Sequence, residues 1–252
     1  MLFPSSTPAR RLPGNAQTTA PEPRTNTAGA GGLCLGSPAL TRLAVLAPGV
    51  VTEVFGEPGS GKTTLGLHAA ASAEQAGAAA VFLDAEHAVF GPYAAALGVE
   101  KSVLIQPERG QGGVAAAIVQ ARRIRASLVV VDTLAALYPE ALDEPAFQRL
   151  AVGGLRALCR LGVPVLVLNQ TRVSGRLAMD ASAGGRVVRR FASVRLELVV
   201  DSIASDRRSQ LGSCRVVKSP LALPGERVRF RLWFGKGISR TLSKEEGFLD
   251  EI

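Results

Sequence analysis

A chain of 252 residues, 47% of them hydrophobic, is long enough to bury one sizeable core, and one domain with a tail is the simplest organisation. Cys34, Cys159 and Cys214 are scattered and odd in number, and His68 and His87 are the only histidines, so neither a disulfide framework nor a zinc site is suggested and a reducing, cytoplasmic setting fits. No apolar run reaches membrane-spanning length, and the net charge of +8 is concentrated where residues 169–240 carry 15 Lys and Arg against 5 Asp and Glu, which points to a polyanionic partner, most simply nucleic acid.

Residues 1–32 are rich in Pro, Ser, Thr, Ala and Gly and nearly devoid of large apolar residues after Leu12. Such a segment buries too little surface to offset its ordering entropy, and it reads as a disordered tail. Residues 33–240 then form the core, and 241–252 a short acidic tail. Val50, Val51, Val54 and Phe55 read as a short buried strand. Next comes Gly56-Glu57-Pro58-Gly59-Ser60-Gly61-Lys62-Thr63, which matches G-x-x-x-x-G-K-[ST], and a helix from Thr64 through Ala73 that ends at Gly77. This strand–loop–helix order predicts a nucleoside triphosphate site. The glycines let successive N–H groups turn toward phosphate, Lys62 reaches the β- and γ-phosphates, and Thr63 offers a hydroxyl to Mg²⁺.

Further apolar runs follow: Ala79 to Leu83 ending at Asp84, Val103 to Ile105, Leu128 to Val131 ending at Asp132, and Val163 to Leu168 ending at Asn169-Gln170. Between them, Gly113 to Arg125 and Phe147 to Leu161 have helical spacing. The alternation predicts an α/β fold, a mainly parallel central sheet with helices on both faces. Val194 to Val200, Cys214 to Val217 and Val228 to Phe234 follow one another without long helices, which predicts antiparallel strands at the C-terminal end.

Ligands of open α/β sheets sit at the carboxyl ends of the strands. The polar residues that close each run are therefore the candidates: Asp132 to hold Mg²⁺ beside Thr63, Glu86 to activate the attacking water, and Asn169-Gln170 to sense the γ-phosphate.

Five stretches together resemble a bacterial RecA-family recombinase core, a RecA-like P-loop NTPase: Gly56 to Thr64, Phe82 to Ala88, Val130 to Leu137, Asn169 to Arg172, and Phe191 to Leu196. The resemblance covers most of residues 33–240. It implies ATP and Mg²⁺ as cofactors, Glu86 as catalytic base, Asp132 as the Mg²⁺-associated acid and Gln170 as γ-phosphate switch. It also implies that Tyr93 stacks on adenine and that Lys218 reaches a neighbouring subunit's ATP. Thr64 closes the loop motif on the helix. A single-stranded DNA loop is implied over Arg172 to Arg186, where Arg172, Arg176 and Arg186 can neutralise phosphates and three glycines give mobility. The other DNA loop of the family, near Pro139 to Pro145, is acidic here and poor for phosphate contact.

The chain departs from the family in ways that bear on assembly. Residues 1–32 show no counterpart of the helix and strand that dock on a neighbouring subunit, and no C-terminal domain precedes Ile252. Pro220 stands in place of a second lysine, Arg190 in place of an interface aromatic, and Phe90 in place of an acid at the adenine. These departures favour an accessory of DNA repair and the SOS damage response, with residual ATPase activity, that binds single-stranded DNA and modulates RecA or a translesion polymerase. That reading resembles the ImuA group of compact RecA-like proteins, and it leaves self-assembly open. The alternative is an autonomous DNA-dependent ATPase that performs strand exchange. A third reading, a small-molecule kinase, would use Arg122, Arg123 and Arg125 on a lid.

Overall fold

The computed structural model describes residues 10–11, 33–43, 46–171, 185–205 and 207–239. In chain order the elements are β1 (Arg10–Arg11), α1 (Pro38–Leu43), β2 (Val51–Gly56), α2 (Lys62–Gln75), β3 (Ala80–Asp84), α3 (Gly91–Ala96), β4 (Val103–Ile105) and α4 (Val114–Arg123). There follow β5 (Leu128–Asp132), a 3₁₀ turn over Ala135–Leu137, α5 (Glu144–Cys159), β6 (Val165–Gln170), α6 (Gly185–Phe191), β7 (Ala192–Ile203), β8 (Ser209–Lys218), β9 (Arg227–Trp233) and β10 (Gly237–Ile238). The acidic tail expected at 241–252 lies outside the described residues. So does nearly all of the segment expected to be disordered at 1–32, where Arg10 and Arg11 alone are placed, paired antiparallel with Leu104 and Val103.

One sheet runs through the molecule in the order β1-β4-β3-β5-β6-β2-β7-β8-β9-β10. Its centre, β4-β3-β5-β6-β2-β7, is parallel throughout, whereas β7, β8, β9 and β10 pair antiparallel in succession. The sequence patterns dictate both halves. β3 (AVFLD) and β5 (LVVVD) are apolar almost without interruption and are buried along their whole length, as strands covered on both faces must be. β9 instead alternates: Phe230 and Leu232 turn into the core while Arg227 and Arg229 stay exposed.

Two apolar layers fill the faces. On one side α2 and the segment around Leu35, Leu40 and Leu43 pack with Val54, Phe82, Val130, Leu168 and Leu196. On the other, the helical residues Ala117, Ala121, Ala151, Leu155 and Leu158 pack with Val81, Val129, Val131 and Val167. α2 crosses the middle of the sheet and is buried almost all round, which its alanines permit. The approach is close enough that a Cβ at Gly66 would stand 2.9 Å from Leu168 Cδ1. On its outer side His68 Nε2 accepts a hydrogen bond from the Ile238 N–H (3.0 Å), which ties β10 to this helix.

A buried ion pair joins the central strands. Arg195 of β7, 2% exposed, donates through Nε to Glu53 of β2, 0% exposed, at 2.5 Å, and its guanidinium lies 4.9 Å from the centre of the Phe55 ring. Asn169 of β6 completes the cluster, donating through Nδ2 to Glu53 Oε1 at 2.8 Å. Among the described residues, no helix is long and apolar enough to cross a membrane.

Candidate nucleotide site

The loop Gly56 to Thr63 joins the end of β2 to the start of α2. Gly59 (φ 80°) and Gly61 (φ 94°) take the left-handed backbone that lets the loop curl without a Cβ penalty. Gly56 is required for a different reason, since a Cβ there would stand 2.3 Å from the Leu198 carbonyl oxygen. Glu57, Pro58 and Gly59 form the exposed crest. The crest is held from β8, where Gln210 Nε2 donates to the Gly59 carbonyl at 2.8 Å.

Lys62 folds back into this loop. Its ammonium donates to the carbonyls of Gly56 (3.0 Å) and Glu57 (2.7 Å), with Ser60 Oγ at 3.4 Å. Burial lowers the Lys62 pKa, while the carboxylates of Asp132, Glu86 and Glu57 act to raise it. A buried ammonium at the N-terminus of a helix 14 residues long is placed to bind an anion.

Thr63 donates to Asp132 Oδ2 at 2.7 Å. Burial pushes the Asp132 carboxyl up to about 7; the Thr63 hydrogen bond and Lys62 oppose that rise, and Asp84 and Glu86 add to it. A hydroxyl and a carboxylate side by side, beneath a phosphate-binding loop, are hard oxygen donors that fit Mg²⁺. Glu86, in the turn after β3, accepts from Thr133 Oγ1 (3.1 Å) on one oxygen and from Gln170 Nε2 (3.3 Å) on the other. The turn itself is shaped by buried Asp84, which accepts from the N–H groups of Ala88 and Val89 and from Gln106 Nε2, each at 3.0 Å.

The structure thus gathers Lys62, Thr63, Glu86, Asp132 and Gln170 at the carboxyl ends of β2, β3, β5 and β6. It separates Asn169 from Gln170: adjacent strand residues face opposite ways, so Asn169 turns to Glu53 and only Gln170 reaches Glu86. Tyr93 lines the cavity, its hydroxyl 3.1 Å from Thr64 Oγ1. Lys218 lies elsewhere. Its ammonium donates to the Ala192 carbonyl at 2.7 Å, and Ala192 pairs with Val51, at the end of β2 remote from the loop. Arg172 and Arg176 lie outside the described residues, as does the Arg186 side chain.

Arg122, Arg123 and Arg125 precede β5, whose first residue Leu128 pairs with Ala80 at the start of β3. They sit at the opposite end of the parallel strands from the phosphate loop, so the kinase-lid expectation is corrected. Thr133, Gln210 and the wall made by Trp233 and Phe234 were not anticipated. A residue beside a predicted acid could have flagged Thr133; no local signal marks the others.

An open cavity of about 660 Å³ runs from Gly59, Gly61, Lys62, Thr63 and Thr64 to Phe90, Pro92 and Tyr93 on one wall and Leu232 to Gly235 on the other. Its size suits a nucleotide.

A family model described as the RecA N-terminal domain matches residues 20–239. The chain is 35% identical over 212 residues to Protein RecA of Salinispora arenicola (strain CNS-205), covering 76% of this chain and 61% of that one. It is 34% identical over 229 residues to Protein RecA of Nitratidesulfovibrio vulgaris (strain DP4), covering 81% and 64%. It therefore spans less than two thirds of the length of these relatives. The fold is similar to the crystal structure of the RadB recombinase, with a TM-score of 0.65 and 21% identity over 83% of this chain and 100% of that one.

Proposed function

The chain belongs to the RecA family, and from that premise we propose that it is an ATP- and single-stranded-DNA-binding accessory of recombinational repair and the damage response, with weak ATPase activity. The observation that carries the nucleotide half is the cluster in which Thr63 meets Asp132 and Gln170 meets Glu86 beside Lys62. In this reading Lys62 and the loop N–H groups bind the phosphates. Thr63 and Asp132 would hold Mg²⁺, which when bound neutralises phosphate charge. Glu86 takes the proton of the attacking water, and Thr133 and Gln170 orient its carboxylate. Gln170 bonds to Glu86 and is the second residue before Arg172, so in this reading it is the link between the nucleotide and the segment proposed to meet DNA.

Glu86→Gln should retain nucleotide affinity and lower turnover by roughly 10²- to 10⁴-fold, the usual contribution of a general base. Nucleotide binding and single-turnover hydrolysis measured on the same preparation check this. Turnover within a few-fold of wild type would take the base role away from Glu86.

Arg172 and Arg176 are the proposed phosphate contacts. Each neutralised phosphate contributes about 0.7 to the salt slope of single-strand affinity. Changing both to Ala should weaken binding and flatten the slope of log affinity against log salt by about 1.4. An unaltered slope would place the DNA site elsewhere.

The accessory role, in preference to autonomous strand exchange, rests on Pro220 and Arg190 standing where the family resemblance leads one to expect a second lysine and an interface aromatic. Arg190 is exposed at the end of α6, beside a groove of about 380 Å³ lined by Glu144, Gln148, Val152 and Phe191. A charged side chain on that rim disfavours an apolar packing partner. RecA or a translesion polymerase is the partner this reading assigns, in the cytoplasm.

A further inference from the structure

Arg122, Arg123 and Arg125 stand at the end of α4, and Arg156 and Arg160 at the end of α5. All five are exposed. α4 leads into β5 and α5 into β6, and these strands are neighbours, with Val129 paired to Val165. The two helix ends therefore lie side by side, at the end of the sheet opposite the phosphate loop.

Helix polarity does not account for this charge. A helix C-terminus carries about half a negative charge, so two such ends offset only about one of the five cations. α2, with 14 residues, has no basic residue in its last turn, and neither has α3. From Ala121 to Leu128 and from Leu155 to Val165 the sequence contains no Asp or Glu. Among the described residues, none of the five arginines is ion-paired. At the same end of the sheet, Glu74 is tied to the N–H groups of Glu100 and Lys101 on the α2 face. Glu226 lies in the turn before β9, four strand spacings from β6 or about 19 Å away, beyond the reach of unscreened attraction.

Arg125 adds a separate observation. α2, α3 and α4 end alike: the N–H groups of Ala78, Val99 and Ala126 reach back to the carbonyls of Ala73, Ala94 and Ala121, around one left-handed residue. In α2 and α3 that residue is Gly77 (φ 85°) and Gly98 (φ 90°); in α4 it is Arg125 (φ 50°). Glycine suits the position because a side chain there is crowded by the backbone. An arginine held in that conformation points to a task for its guanidinium.

We propose that these two helix ends form a binding surface for the sugar–phosphate backbone of double-stranded nucleic acid. A guanidinium fork matches phosphate oxygens in pairs. Packed helices lie about 8–10 Å apart, and a duplex carries one charge per about 1.7 Å of axis, so both ends meet phosphates of one duplex together. A duplex fits better than a single strand, because Phe191, the ring beside Arg156, is half-buried and already covered by that guanidinium at 5.8 Å, which leaves it poor for base stacking. The chain's net charge of +8 favours a long polyanion over a compact acidic protein. The surface does not depend on the role proposed for Arg172 and Arg176, which follow β6 at the opposite end of the sheet.

The test is fluorescence anisotropy of the full chain with a labelled duplex, with the matching single strand, and with labelled poly-L-glutamate, across a salt series. The triple variant Arg122→Gln, Arg123→Gln, Arg125→Gln should weaken duplex binding by about tenfold or more and flatten its salt slope by about 2–3, since each lost phosphate contact removes about 0.9. Single-strand affinity should fall by less. A control of equal charge, Arg42→Gln, Lys101→Gln, Lys236→Gln, all at exposed positions, should change the duplex slope by less than about 1. Arg125→Gly alone should weaken duplex binding and unfold at the same or a higher temperature, because it relieves the left-handed backbone. Equal losses in the triple variant and the control, or equal losses for duplex and single strand, overturn the inference. So does a triple variant that loses poly-L-glutamate but keeps the duplex, or an Arg125→Gly chain that unfolds at a lower temperature, which would make the arginine a packing residue.

Discussion

Lys62→Ala should abolish tight nucleotide binding: affinity should fall by about 10²-fold or more, the scale of removing charge-assisted hydrogen bonds to phosphate. The fold should survive the change. Burial lowers the Lys62 pKa while the carboxylates of Asp132, Glu86 and Glu57 act to raise it, so the variant removes a desolvation cost and loses those attractions together. Thermal unfolding without nucleotide should therefore change little, while the stabilisation that wild type gains from added ATP should vanish. Fluorescence titration and unfolding on the same two preparations read both effects. Unchanged nucleotide affinity in the variant would remove Gly56 to Thr63 from the binding site.

Glu53→Ala is the substitution with the largest expected effect on stability, a loss of about 3–5 kcal/mol, because it leaves a buried guanidinium without its counter-charge. Arg195 has no exit to solvent at 2% exposure, and its Nη2 already lacks a hydrogen-bond partner. Asn169 would lose its acceptor as well. The cost belongs to the orphaned charge and not to the worth of the pair. Replacing both Glu53 and Arg195 with Met should thus recover much of the loss, as apolar replacements of buried pairs commonly do. Denaturant unfolding of the single and double variants checks this. A single variant destabilised by less than about 1 kcal/mol would mean that Arg195 finds another partner or water.

The central parallel sheet was legible in the sequence because its strands are buried on both faces and so read as unbroken apolar runs. Each closes on a polar residue, Asp84 with Glu86 two residues on, Asp132 and Gln170, and that pattern marks candidates at the carboxyl ends of the strands. The phosphate loop was legible for a similar reason: Gly59, Gly61, Lys62 and Thr63 are each tied to one physical task. The family resemblance carried further assignments, Tyr93 at the cavity among them. Asn169 and Gln170 were not separable as a pair, because which side of a strand faces the site depends on neighbours in the sheet. The short α1 and α3, six residues each, are too brief to show a period.

The second wall of the cavity escaped for a deeper reason. Trp233 and Phe234 come to line one cavity with the phosphate loop only because β7, β8 and β9 pair antiparallel in succession, and Gln210 reaches Gly59 by the same route. Those contacts span more than 150 residues of sequence, and no local pattern encodes them. Pattern reading locates residues at the ends of strands well; it does not reveal which distant strand closes over them.

Hydrolysis of ATP by the purified chain, with and without single-stranded DNA and with light scattering recorded alongside, tests the proposed role most directly. An accessory with weak ATPase activity predicts bound nucleotide, slow turnover and no growth in scattering when DNA is added. DNA-stimulated turnover accompanied by rising scattering would contradict that role and identify a chain that assembles and works on its own.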